Sequence, residues 1–113
     1  MQAITPAQLD DWIASQPAAH TPVVLDVREP WELQTAAVAG APTYEVLPMP
    51  MRTVPERLGE LDTERPIAVL CHHGGRSAQV TQFLLNQGYA RVVNIQGGID
   101  LWSLERDPTV PRY

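Results

Sequence analysis

The sequence predicts an α/β fold with a mainly parallel sheet flanked by helices on both faces. Two observations carry that expectation. Short apolar runs recur as Val23-Val24-Leu25-Asp26-Val27, Ile67-Ala68-Val69-Leu70 and Val92-Val93-Asn94-Ile95, and a strand that is apolar on both faces suits a parallel sheet covered on each side. Between them lie segments with helical spacing, opened by capping residues and closed by glycine or proline.

Taken in order, Gln2 to Ile4 is a short strand leading into Thr5-Pro6-Ala7-Gln8. Thr5 suits an N-cap, Pro6 the first helical position, and Gln8 completes a capping box. The helix from Pro6 to about Ser15 buries Leu9, Trp12 and Ile13. His20-Thr21-Pro22 breaks the chain before the strand Val23 to Val27. Pro30 to Ala37 reads as a short helix, followed by a Gly40-Ala41-Pro42 break and a weak strand from Tyr44 to Leu47. Two prolines make Pro48 to Arg52 a loop, and Thr53-Val54-Pro55-Glu56 starts a helix to about Leu61. The strand Ile67 to Leu70 runs into Cys71. Ser77 to Gln87 is a helix with Val80, Phe83 and Leu84 on one face and Gly88 as its stop. Val92 to Ile95 is the next strand, and a last helix follows Gly97-Gly98 to about Leu104. Asp107 to Tyr113, with two prolines, is expected to be a tail lying along the surface.

The 113 residues suit one domain, and 44% apolar content is enough for a real core. A net charge of −5 argues against nucleic acid, because a phosphate backbone calls for clustered cations. No basic amphipathic stretch, secretion signal or spanning run is visible, which points away from membranes and towards the cytoplasm. The single cysteine forms no internal disulfide and fits the same reducing compartment.

Chemistry concentrates in Cys71-His72-His73-Gly74-Gly75-Arg76-Ser77, between a buried strand and an amphipathic helix. A turn with two glycines aims consecutive backbone N–H groups at one point above the cysteine. Backed by the positive end of the following helix, that nest stabilises an anion on or beside the sulfur. Arg76 adds a fixed positive charge, and Cys71 becomes the candidate nucleophile. A buried small residue at a strand end is the bland alternative, and the flanking glycines and arginine outweigh it. Neighbouring histidines suggest a metal, but zinc asks for three or four ligands and the rest of the chain offers only His20. His72 and His73 are therefore read as rim residues, and no metal is expected.

Three segments resemble the rhodanese family of sulfurtransferases. Leu25-Asp26-Val27-Arg28-Glu29-Pro30-Trp31-Glu32 is similar to the Asp-Val-Arg-Glu-Pro segment near the start of such domains. Cys71 to Ser77 resembles the active-site loop of single-domain members, and Asn94 to Trp102 resembles their closing Gly-Gly-(three residues)-Trp motif. The resemblance implies one domain over residues 1–113, with a five-stranded parallel sheet flanked by helices. It implies that Cys71 takes a sulfur atom from a donor such as thiosulfate, holds it as a persulfide and passes it to cyanide or a thiol, with no cofactor required. The amides of His72, His73, Gly74, Gly75, Arg76 and Ser77 would cradle the persulfide. Asp26 and Arg28 match the family's acidic–basic pair, and pairing that holds the strand end is preferred to catalysis. The chain departs from the family's Gly-His-Ile-(x)-Gly-Ala pattern at Ala36-Ala37-Val38-Ala39-Gly40-Ala41. Trp31 and Trp102 are expected to pack, and Met49 and Met51 to line the pocket or fill core gaps.

Related phosphatases carry a Cys-x5-Arg loop. The loop here is Cys-x4-Arg, one residue short, which favours a small sulfur anion over phosphate. A relay that moves sulfur between proteins is the main alternative to small-molecule turnover, and a small phosphatase or a non-catalytic binding domain ranks lower. Because the chain is negative overall, positive potential from Arg76 and the amides must dominate the pocket if a dianionic donor is to bind.

Overall fold

The computed structural model describes residues 1–113. Five strands, β1 (Ala3–Ile4), β2 (Val23–Asp26), β3 (Glu45–Pro48), β4 (Ile67–Leu70) and β5 (Val92–Ile95), form one sheet in the order β1-β5-β4-β2-β3. Every pairing is parallel, with Asp26 opposite Leu70 and Val69 opposite Asn94. β4 is therefore central. All residues of β2, β4 and β5 are buried, whereas the edge strand β3 is half open.

Four helices cover the sheet: α1 (Leu9–Ala14), α2 (Pro30–Thr35), α3 (Gly75–Asn86) and α4 (Gly98–Glu105). Because side chains alternate along a strand, the sheet divides the core in two. On one side Val24, Ala68, Leu70 and Val93 meet Leu9 and Trp12 of α1 and Ile99 and Trp102 of α4. On the other, Val23, Leu25, Val69 and Cys71 meet Val80 and Leu84 of α3. Cys71 thus rises from the face that α3 covers. No helix is long and apolar enough to cross a membrane.

Several elements differ from the sequence expectation for identifiable reasons. Pro6–Gln8 is a 3-10 turn that leads into α1, and the Thr5 N–H donates to Gln8 Oε1 at 2.9 Å. Pro48 belongs to β3, where an edge position leaves its missing N–H without consequence. The expected helix after Thr53 is instead two 3-10 segments, Met51–Thr53 and Pro55–Glu60. The Tyr89 hydroxyl lies 3.1 and 3.0 Å from the carbonyl oxygens of Leu58 and Leu61, satisfying them outside any α-helical ladder. α2 stops at Thr35 because Ala36 turns extended, and the Arg28 guanidinium takes its carbonyl at 2.9 Å. Trp31 does not pack in the core and is 62% exposed. The final segment does more than run along the surface: Val110 is buried in the core and Tyr113 reaches back to α2.

Candidate active site

Cys71 immediately follows β4, at the carboxyl end of the central strand, where open parallel sheets carry their ligands. Its side chain is covered, with 1% of the residue exposed. The loop turns at Gly74, whose φ of 110° is reached without cost only by glycine. That turn directs the Gly74 N–H onto Cys71 Sγ at 3.1 Å. The Cys71 thiol in turn donates to Ser77 Oγ at 3.3 Å, and the Ser77 hydroxyl donates to Asn94 Oδ1. Asn94 Nδ2 donates back to the Gly74 carbonyl at 3.3 Å. Sulfur, hydroxyl, carboxamide and loop backbone thus form a closed circuit. It fixes the loop against β5.

Gly97-Gly98 secures the strand end from the other side. A Cβ on Gly98 would collide with the carbonyls of Cys71 and His72. Without one, the first turn of α4 comes close enough for the Ile99 N–H to donate to Cys71 O at 2.9 Å and the Asp100 N–H to His72 O at 3.2 Å. The loop and the closing glycine pair are therefore one mechanical unit.

Arg76 stands at the start of α3, but its charge is already committed. Nη1 and Nη2 donate to the two Glu32 oxygens at 2.6 and 2.9 Å, a bidentate pair. Glu32 also accepts the Tyr113 hydroxyl at 2.6 Å and the Glu29 N–H at 3.0 Å. The Arg76 hydrogen bonds, helped by those from Tyr113 and Glu29 and opposed by burial, pull the Glu32 carboxyl down to about 2. Arg76 is raised by the same hydrogen bonds to Glu32. Burial, with the donation to Glu32 added and Arg28 opposing, pushes Tyr113 up to about 12.

Asp26 and Arg28 are buried together, with Nη2 to Oδ2 at 2.7 Å and Nε to Oδ1 at 2.9 Å. Burial alone would lower Arg28, and the hydrogen bond and charge of Asp26 reverse the sign. Arg28 also donates to the Tyr113 hydroxyl oxygen at 3.1 Å, which joins this pair to Glu32 and Arg76. The arrangement ties the end of β2, α2, the cysteine loop and the C-terminal segment into one network.

His72 and His73 sit at the rim. The His72 ring stacks on Tyr113 and on His73, each with centroids 3.9 Å apart, and its Nε2 is 2.7 Å from the Tyr113 main-chain oxygen. His73 is largely exposed, 4.0 Å from Asp100. No group of three or more His, Cys, Asp or Glu side chains converges as metal ligands would.

A groove of about 320 Å³ opens beside the loop, lined by Val27, Glu29, Met51, Arg52 and Arg76. Just past the end of β2, the Val27 N–H donates to Leu70 O, next to Cys71, at 2.9 Å, and the Met51 N–H donates to Val27 O at 3.0 Å. Met51 lines this groove, whereas Met49 is core.

The structure places Gly74 and Ser77 against Cys71 and turns Arg76 to Glu32, and it adds Glu32, Asn94 and Tyr113, which the sequence does not single out. Asn94 left a signal, as a polar residue inside an otherwise apolar buried strand must find a partner. Glu32 showed only the capping-box spacing from Glu29. Tyr113 left none.

A parallel α/β domain that presents one cysteine from its central strand into a glycine-turned loop is a cysteine-centred group-transfer scaffold. The chain belongs to the rhodanese-like domain family, whose model matches residues 5–105. A protein of Allochromatium vinosum described as a sulfurtransferase is 35% identical over 105 residues, covering 91% of this chain and 94% of that one. The Arabidopsis thaliana rhodanese-like/PpiC domain-containing protein 12, chloroplastic, is 40% identical over 92 residues, covering 80% of this chain and 30% of that longer protein. The crystal structure of a rhodanese-related protein from Thermoplasma volcanium superposes with a TM-score of 0.76 at 31% identity, covering all of both chains.

Proposed function

We propose that this protein is a sulfurtransferase in which Cys71 carries the transferred atom as a persulfide. The observation that carries this reading is the Gly74 N–H aimed at Sγ from 3.1 Å by a left-handed turn. A preorganised donor of that kind stabilises negative charge on sulfur without having to reorganise during the reaction. The relative described as a sulfurtransferase supports the same class.

With thiosulfate as donor, the Cys71 thiolate attacks the outer sulfur. The S–S bond of thiosulfate breaks, sulfite leaves with the bonding pair, and Cys71 holds a terminal sulfur anion. Cyanide or a thiolate then attacks that terminal sulfur, forming thiocyanate or a new persulfide, and the Cys71 thiolate is restored. Charge is conserved in both halves, and neither a metal nor a cofactor takes part. The loop amides from His72 to Ser77 cradle the terminal sulfur, with Gly74 the first contact. Asp26, Arg28 and Glu32 hold the loop's surroundings and touch neither donor nor acceptor.

Cys71 is the chain's only cysteine, so the sulfur must leave to an external acceptor. A small nucleophile or a partner protein's thiol serves equally in that step, in a reducing compartment such as the cytoplasm. Steady-state transfer from thiosulfate to cyanide tests the reading: turnover in the wild type and none in Cys71→Ser is expected. Equal turnover in both proteins would remove Cys71 from the mechanism. Persulfide formation without turnover would favour the protein-to-protein relay.

A further inference from the structure

The chain has no lysine, so its eight cationic side chains are all arginines. Every one of them except Arg52 lies in an ion pair with an aspartate or glutamate. Arg52 is also the one that lines the groove beside Cys71 without a partner, carried there by the 3-10 turn Met51–Thr53. Its neighbour Met51 is pinned by a 3.0 Å backbone hydrogen bond to Val27, which itself donates to the carbonyl of Leu70, the residue before Cys71. The position of Arg52 is therefore set from the carboxyl end of β2, the strand paired with the one that presents the sulfur.

The charge balance of the groove makes this arginine decisive. Arg76 also lines the groove, but Glu32 neutralises it through two hydrogen bonds. Glu29 lines the groove as well and adds a negative charge. Without Arg52 these groups leave the groove with one excess negative charge, in a protein whose net charge is already −5. An anionic donor would meet repulsion at the mouth of its own site. With Arg52 in place the excess is cancelled, and one guanidinium keeps its N–H groups free to bind an oxyanion.

We infer that Arg52 is the donor-recognition residue, holding the oxyanion end of a small anionic sulfur donor of the thiosulfate or thiosulfonate type while the outer sulfur faces Cys71. This rests on the sulfurtransferase reading for the identity of the donor, but not for the existence of the anion site. In the transfer step Arg52 forms and breaks no bond. It holds the oxygen-bearing group that departs as sulfite.

The test is calorimetric titration of thiosulfate into Cys71→Ser protein, which binds without reacting. Adding Arg52→Gln is expected to weaken binding about two- to fivefold, the scale of one charged contact at an exposed site. Arg52→Lys should recover most of it. Arg57→Gln removes the same charge from an exposed pair with Glu60 and should leave binding unchanged. Binding should weaken with added salt in the Arg52 protein and respond less in Arg52→Gln. Undetectable thiosulfate binding, or equal losses in Arg52→Gln and Arg57→Gln, would overturn the inference. Arg52-dependent binding together with a wild-type protein that forms no persulfide on thiosulfate would strike the sulfurtransferase reading alone.

Discussion

Replacing Glu32 with glutamine removes one charge from the centre of the network that joins α2, the cysteine loop and Tyr113. The Glu32 side chain is 3% exposed and accepts from Arg76 twice, from Tyr113 and from the Glu29 N–H. Its carboxyl lies at about 2 in the folded protein against 4.5 in the unfolded chain. A carboxyl depressed by folding stabilises the native state above its unfolded value, and that stability is lost as pH falls through the folded value. The shift corresponds to roughly 3 kcal/mol at pH 7, shrinking to about 2 kcal/mol at pH 3.5 as the unfolded state takes up its proton. Urea denaturation of wild type and Glu32→Gln across this range measures the difference directly. The gap is expected to be about 2–3 kcal/mol at neutral pH and to narrow by about 1 kcal/mol at pH 3.5. A gap that stays constant with pH would show that Glu32 acts through shape alone, and no gap would refute the network as a source of stability.

Gly98→Ala should be severe, because the new Cβ meets the carbonyls of Cys71 and His72 and φ is 58° there. A loss of about 3 kcal/mol or more is expected in denaturant midpoint, whereas Gly59→Ala, with open space around it, should change little. Tyr113→Phe deletes the hydroxyl that donates to Glu32 and accepts from Arg28. It should cost about 1–2 kcal/mol and move the acid transition associated with Glu32 to higher pH, seen in the same denaturation series.

The parts of the fold legible from sequence are those decided locally. β2, β4 and β5 announce themselves as apolar runs because both faces of a central parallel strand are covered. The turn at Gly74 is legible because left-handed backbone demands glycine, and the same holds for Gly97-Gly98. What escaped is decided by distant partners. Arg76 looks like a free cation beside the cysteine until Glu32, 44 residues earlier, is brought against it. Tyr113 reads as tail until it stacks on His72 and bonds to Glu32, 81 residues away. The 3-10 segments after Met51 carry helix-start signals that the backbone does not follow once Tyr89 takes their carbonyls. Arg52 is unremarkable as one arginine among eight and stands out only when the others are found paired.

Intact-mass spectrometry after incubation with thiosulfate, followed by peptide mapping and then by cyanide, tests the proposed sulfur-carrying role of Cys71. The expected result is a gain of one sulfur atom in the wild type, located on the peptide bearing Cys71, absent in Cys71→Ser and removed by cyanide with release of thiocyanate. An unmodified wild-type mass at saturating thiosulfate, or an equal gain in Cys71→Ser, would contradict it.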